Sequence, residues 1–190
     1  MREGYSHEDD YCQIELLPDV NWDFCANQMT EIDTFSDRHR TDAGWTDIYV
    51  RSENPTPLTD LSINRDIFVQ SLDNLLPSFD RVKTGYSTYT EACANTLALG
   101  RDDNVVIFAE HDENDAVSKI WLTLDVYTAD DRAVAHKALQ IISQWPLILV
   151  DWGWSVLIRL ADAEALADYF DKRVIAFEDF NRRMNWNDKA

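Results

Sequence analysis

Apolar residues along this chain recur with two periods, and the periods predict the elements. The clearest helical spacing is Val134, Ala138, Ile141, Ile142 and Trp145, at i, i+4, i+7, i+8 and i+11. Thr128, Asp130 or Asp131 caps this helix and Pro146 ends it. Just before it, Ile120, Leu122, Leu124 and Val126 alternate with Trp121, Thr123, Asp125 and Tyr127. That is a strand with one buried face and one partly wet face. Residues 104–110 pair with it as a hairpin closed by His111-Asp112-Glu113-Asn114-Asp115. Beyond Pro146, residues 147–151 and 154–160 form a second hairpin, with Gly153 at its tight position between Trp152 and Trp154. Asp162 caps a long helix over residues 163–184 that turns Leu166, Tyr169, Phe170, Val174 and Phe177 inward.

The N-terminal half is less regular. Residues 1–10 read as a flexible acidic arm. A strand follows over residues 11–17 and a helix over 22–36, with Trp22, Cys25, Met29, Ile32 and Phe35 on one face. Residues 45–52 predict a strand with Trp45, Ile48 and Val50 as its apolar members, and 58–63 a short second one. Asn64 caps a helix over 65–76, stopped by Pro77. Residues 82–87 predict a strand. Thr88 with Glu91 fits a capping box for a helix that contains Cys93 and ends at Gly100.

Hairpins mixed with helices, without a linker, predict one α+β domain over residues 11–190. Its sheet is mostly antiparallel and built from hairpins, with amphipathic helices packed on one face. The order strand–strand–helix at 45–77 and again at 104–145 suggests tandem units.

Charge changes the picture most. Asp and Glu outnumber Lys and Arg by 35 to 17 in 190 residues, a net charge of −18. Both halves carry the excess, 18 acids against 7 bases in residues 1–95 and 17 against 10 in 96–190. Such a surface repels nucleic acid and anionic lipid, and it speeds encounter with basic proteins. No apolar run approaches a membrane span, and the polar, acidic start lacks the form of a signal peptide, so the expected compartment is the cytoplasm. Three widely spaced cysteines, Cys12, Cys25 and Cys93, predict buried free thiols rather than a disulfide framework.

Catalytic motifs are missing. There is no phosphate-binding glycine loop, no H-E-x-x-H and no G-x-S-x-G. Glu110, His111, Asp112, Glu113 and Asp115 form the densest set of metal-ligand types, but without the spacing or central glycine of a calcium loop. His7, His39 and His136 are isolated and read as surface residues. The expectation is therefore a protein without enzyme activity, cofactor or metal. Trp152 and Trp154, flanking a turn among acids, have the composition of a binding hot spot.

The segment ISQWPLILVDWGWSVLIRLADAEALADYF and the overall acidity resemble the immunity proteins of bacterial polymorphic toxin and contact-dependent inhibition systems. The likeness is one of composition and architecture over the C-terminal half. It implies an acidic protein that binds a cognate, basic toxin domain and occludes its active site. Candidate contact residues are Asp112, Glu113, Asp115, Asp130, Asp131, Asp151, Trp152 and Trp154, provided the two hairpin turns lie on the same side of the sheet. The alternatives are a DNA mimic that blocks a nucleic-acid-binding protein, which needs carboxylates at phosphate-like intervals, and a small metal-dependent enzyme built on the His111 loop.

Overall fold

In the computed structural model the described residues are 1–7, 11–86 and 89–187, with side chains described up to residue 177 except for Tyr86. The fold is α+β, organised by a six-stranded antiparallel sheet. Its strands are β2 (Ile14–Pro18), β7 (Thr96–Gly100), β8 (Val105–His111), β9 (Val117–Leu124), β10 (Leu147–Asp151) and β11 (Val156–Arg159). Their order across the sheet is β11-β10-β2-β9-β8-β7. A smaller sheet joins β1 (Glu3–Tyr5), β5 (Arg81–Tyr86) and β6 (Tyr89–Ala92), with β1 parallel to β5. A two-residue ladder pairs β3 (Arg40–Thr41) with β4 (Gly44–Trp45).

Alternation along each central strand sends side chains to two dry faces. Leu16, Ile107, Ile120, Leu122 and Leu149 point to one face, against helices α2 (Arg65–Leu72), α3 (Ala129–Ile142) and α4 (Ala163–Asn187). The other face is covered in two parts. Helix α1 (Trp22–His39) lies over Leu17, Ile148 and Val150, and the small sheet places Val82 against Phe108 and Trp121. Trp121 stacks on Phe108 with ring centroids 5.3 Å apart. The face expected to be partly wet at Trp121 is therefore interior, and helices flank the sheet on both sides rather than one.

Local chemistry sets the helix starts. Asn64 Oδ1 accepts hydrogen bonds from the amides of Asp66 and Ile67 (3.0 and 3.2 Å). Thr128 and Asp131 form a reciprocal capping box at α3, worth about 1 kcal/mol. Asp162 Oδ1 accepts from the Ala165 amide (3.0 Å) at the start of α4, and Leu166, Tyr169 and Phe170 are buried as the spacing predicts.

Several expectations are corrected. Residues 3–5 are not a free arm: β1 pairs with Arg81–Lys83, and the Arg2 guanidinium donates to the Gly100 carbonyl (2.6 Å). Residues 8–10, the rest of that arm, lie outside the described set. Cys12 has a left-handed backbone (φ 54°), so the strand expected from residue 11 starts at Ile14. The stretch expected as a helix up to Gly100 is instead β6 and β7, turned by Asn95 at φ 54°. Five residue pairs with β8 hold β7, and this pairing overrides the local helical spacing. Thr88, the expected cap, lies outside the described residues. Residues 58–61 form a 3-10 turn, not a strand, and 46–57 have no sheet partner among the described residues. The strand–strand–helix unit expected at 45–77 is therefore not formed; the order β8-β9-α3 is followed instead by β10-β11-α4. In the β10–β11 turn the left-handed residue is Ser155 (φ 49°), not Gly153.

Candidate partner-binding surface

The predicted contact acids are largely engaged within the fold. Asp112 Oδ1 accepts from the amides of Asn114 (2.8 Å) and Ala116 (2.9 Å), and these N–H groups hold its carboxyl below the usual range. Asp115 pairs with Arg65 (2.8 Å), which docks the turn onto the start of α2. Glu113 is exposed. Asp130 pairs with Arg101 (3.2 Å), and Asp131 closes the α3 cap.

Asp151 and Trp152 are interior residues, 2% and 7% exposed, so in this fold they present no free surface. Asp151 Oδ2 accepts from Tyr169 Oη (2.7 Å) and from Arg173 (2.8 Å), and its Oδ1 accepts from the Trp154 amide (3.0 Å). Burial pushes the Tyr169 phenol well above its ordinary pKa. On the opposite face, Trp152 Nε1 donates to Glu15 Oε1 (2.7 Å), which also receives Arg51 (3.0 Å). Burial raises the Glu15 pKa, and the Trp152 and Arg51 bonds oppose that rise.

The two turns do not share an end of the sheet. β9 and β10 are both antiparallel to β2 and therefore run in the same direction. The 112–115 turn precedes β9, whereas Trp152 and Trp154 follow β10. They lie about a strand length apart, roughly 15 Å. Asp130 and Asp131, beyond the exit of β9, share the end that carries Trp154. The two turns therefore sit at opposite ends of the sheet rather than side by side.

Among the described residues, five of the chain's 17 Lys and Arg residues lie over aromatic rings. Arg51 sits over Trp152 (4.5 Å), Arg159 over Trp22 (4.5 Å), Arg173 over Trp154 (4.9 Å), Arg2 over Phe79 (4.3 Å) and Lys119 over Tyr11 (5.1 Å). Trp154 is 43% exposed but already carries this lid. Trp45 differs: it is 65% exposed, its Nε1 donates to Ser36 Oγ (3.1 Å), and no cation among the described residues covers it.

Trp45 begins an apolar strip. Gly44, at φ 120°, closes the β3–β4 turn, and the chain then runs irregularly from Thr46. Ile48 and Val50 project outward at 84% and 82% exposure. Between and after them, Tyr49 and Arg51 are anchored inward. Tyr49 Oη donates to Glu31 Oε2 (2.8 Å) on α1, and its ring meets Phe35 edge-on at 5.4 Å. Arg51 reaches Glu15 and the Cys12 carbonyl (3.0 Å). Beside the strip, α1 and Tyr49 line a hollow of about 320 Å³ with Glu31 and Phe35 in its walls. The alternating spacing of this stretch is visible in the sequence. What the sequence leaves out is that no strand among the described residues covers it.

A cleft of about 410 Å³ separates the small sheet from the central one, lined by Tyr11, Glu91, Cys93, Glu110 and Trp121 among others. Burial and the charges of Glu91 and Glu110 raise the Cys93 pKa, which keeps the thiol protonated and a weak nucleophile. All three cysteines are free, and Cys12 and Cys25 are buried with pKa values pushed up to about 12. Among the described residues no three His, Cys, Asp or Glu groups are gathered as a metal site, and no helix is long and apolar enough to cross a membrane. No protein-family model, curated protein or solved structure matches the chain.

Proposed function

We propose that this protein binds a basic protein partner and blocks it, as an immunity protein neutralises a toxin domain. The observation that carries the reading is the Trp45, Ile48 and Val50 strip, three strongly exposed apolar side chains on a chain of net charge −18. Large exposed aromatics anchor interfaces by giving up their hydration on contact, while surrounding like charges steer an oppositely charged partner and repel others. The acids of the 112–115 turn and of the α3 start then act through the overall field rather than as direct contacts. Occlusion of the partner's active cleft is the expected mode of inhibition.

The test is binding to, and inhibition of, a basic toxin domain encoded beside this protein's gene. Calorimetry is expected to give a tight complex whose Kd weakens about tenfold or more as NaCl rises from 50 to 300 mM. Trp45→Ala is expected to weaken it about 30-fold, the 2 kcal/mol expected of a hot-spot residue. Absence of binding and of inhibition refutes the reading.

A further inference from the structure

We infer that residues 46–52 are an unpaired strand edge onto which an extended, cationic segment of a protein partner adds. The inference rests on the partner-binding reading and specifies how the partner is held. Two observations meet at this stretch. Its side chains alternate as a strand's do, Ile48 and Val50 outward, Tyr49 and Arg51 anchored on α1 and on Glu15. Its backbone, however, has no ladder. Thr46 N donates to the His39 carbonyl (2.9 Å), Ile48 N to its neighbour Asp47 Oδ1 (2.9 Å) and Ser52 N to Gln28 Oε1 (3.1 Å). Between them, among the described residues, the N–H and C=O groups of 49–51 meet no protein partner.

An edge pinned from behind, with free backbone groups and apolar side chains in front, is what strand addition requires. Backbone bonds supply affinity, and alternate side chains supply selectivity. Charge selects the occupant. Exposed Glu31, Asp42, Asp47 and Glu53 lie on or near this stretch, and a second copy of a −18 chain would be repelled. The hollow beside Tyr49, walled by Phe35 and Tyr49, accepts an apolar side chain. Glu31 there is already bonded to Tyr49 and Gln28, and Arg38 also lines it, so the cationic preference comes from Asp42, Asp47, Glu53 and the net charge.

The probe is the strand-forming peptide acetyl-(Lys-Val)4-amide, compared with the same peptide N-methylated at alternate residues and with acetyl-(Glu-Val)4-amide. Amide exchange of the whole protein is followed by NMR. At a peptide concentration ten times its Kd, exchange at 49–51 is expected to slow about tenfold with the first peptide. The N-methylated and acidic peptides are expected to leave it unchanged. Val50→Pro, which removes one edge N–H, is expected to abolish the protection with an unchanged far-ultraviolet spectrum. Equal protection by the N-methylated peptide would reduce the effect to charge alone. Protection confined to other residues, no response to any peptide, or self-association of the protein through 49–51 also overturns the inference. A toxin domain neutralised without protection of 49–51 removes the edge and keeps the inhibitor. A peptide bound at 49–51 with no toxin neutralised does the reverse.

Discussion

Glu15 is a carboxylate 8% exposed in the middle of a sheet, and its ionisation depends on one guanidinium and one indole N–H. Removing Arg51 leaves that charge buried without its counter-ion. Arg51→Met is therefore expected to destabilise the fold by about 3–5 kcal/mol at pH 7, measured by urea unfolding. The pH dependence follows from the raised Glu15 pKa. The native state binds this proton more readily than the unfolded chain does, so Glu15's contribution to stability improves as pH falls through the raised native value toward 4.5. The penalty in Arg51→Met should accordingly shrink in acid, and adding Glu15→Gln should recover most of it at pH 7. A penalty independent of pH would mean that lost packing over Trp152, rather than charge, is responsible. Neither this cluster nor that of Asp151 was legible in the sequence. Arg51 lies 36 residues from Glu15, and Arg173 lies 22 from Asp151. Such acids look like surface charges until the fold brings their partners together.

At the scale of elements, what was legible is what local chemistry decides. The caps at Asn64, Thr128 and Asp162 and the inward faces of α3 and α4 needed no knowledge of distant strands. The errors fall where pairing decides. Gly100 reads as a helix terminator, yet it ends β7, where a Cβ would stand 2.9 Å from the Val105 carbonyl oxygen and 3.1 Å from that of Asp102. Gly100→Ala is expected to lower stability by about 1–3 kcal/mol through that backbone clash. As a helix terminator with no such contact, the same change would cost much less, so thermal unfolding separates the two roles. Residues 45–52 show the opposite error. Their alternation was legible and is real in the side chains over residues 48–51, but a strand needs a neighbour as well as a pattern. The proposed contact site was legible only as a kind of surface, aromatic within acid. The proposal places it at Trp45 rather than at the β10–β11 turn, because Arg173 covers Trp154 and Asp151 and Trp152 are interior.

Over the whole molecule, 35 acids against 17 bases make the compact state self-repelling. Added salt screens that repulsion, so the melting temperature is expected to rise between 20 and 500 mM NaCl, as differential scanning calorimetry can measure. The same salt should weaken the approach of the proposed basic partner. Stability and affinity should therefore move in opposite directions with ionic strength. A melting temperature that falls with salt would show that internal ion pairs such as Arg65–Asp115 outweigh the net repulsion.

Asp151 and Trp152 are adjacent in the chain but face opposite sides of the sheet. Asp151 holds Tyr169 and Arg173 of α4, and Trp152 holds Glu15 and, through it, Arg51. Mechanically the dipeptide is a rivet through a plate. Prying α4 from one side loads Asp151 and, through its neighbour Trp152, the Glu15–Arg51 pair on the other, so one anchor of the 46–52 stretch, beside those on α1, is coupled to a helix across the sheet.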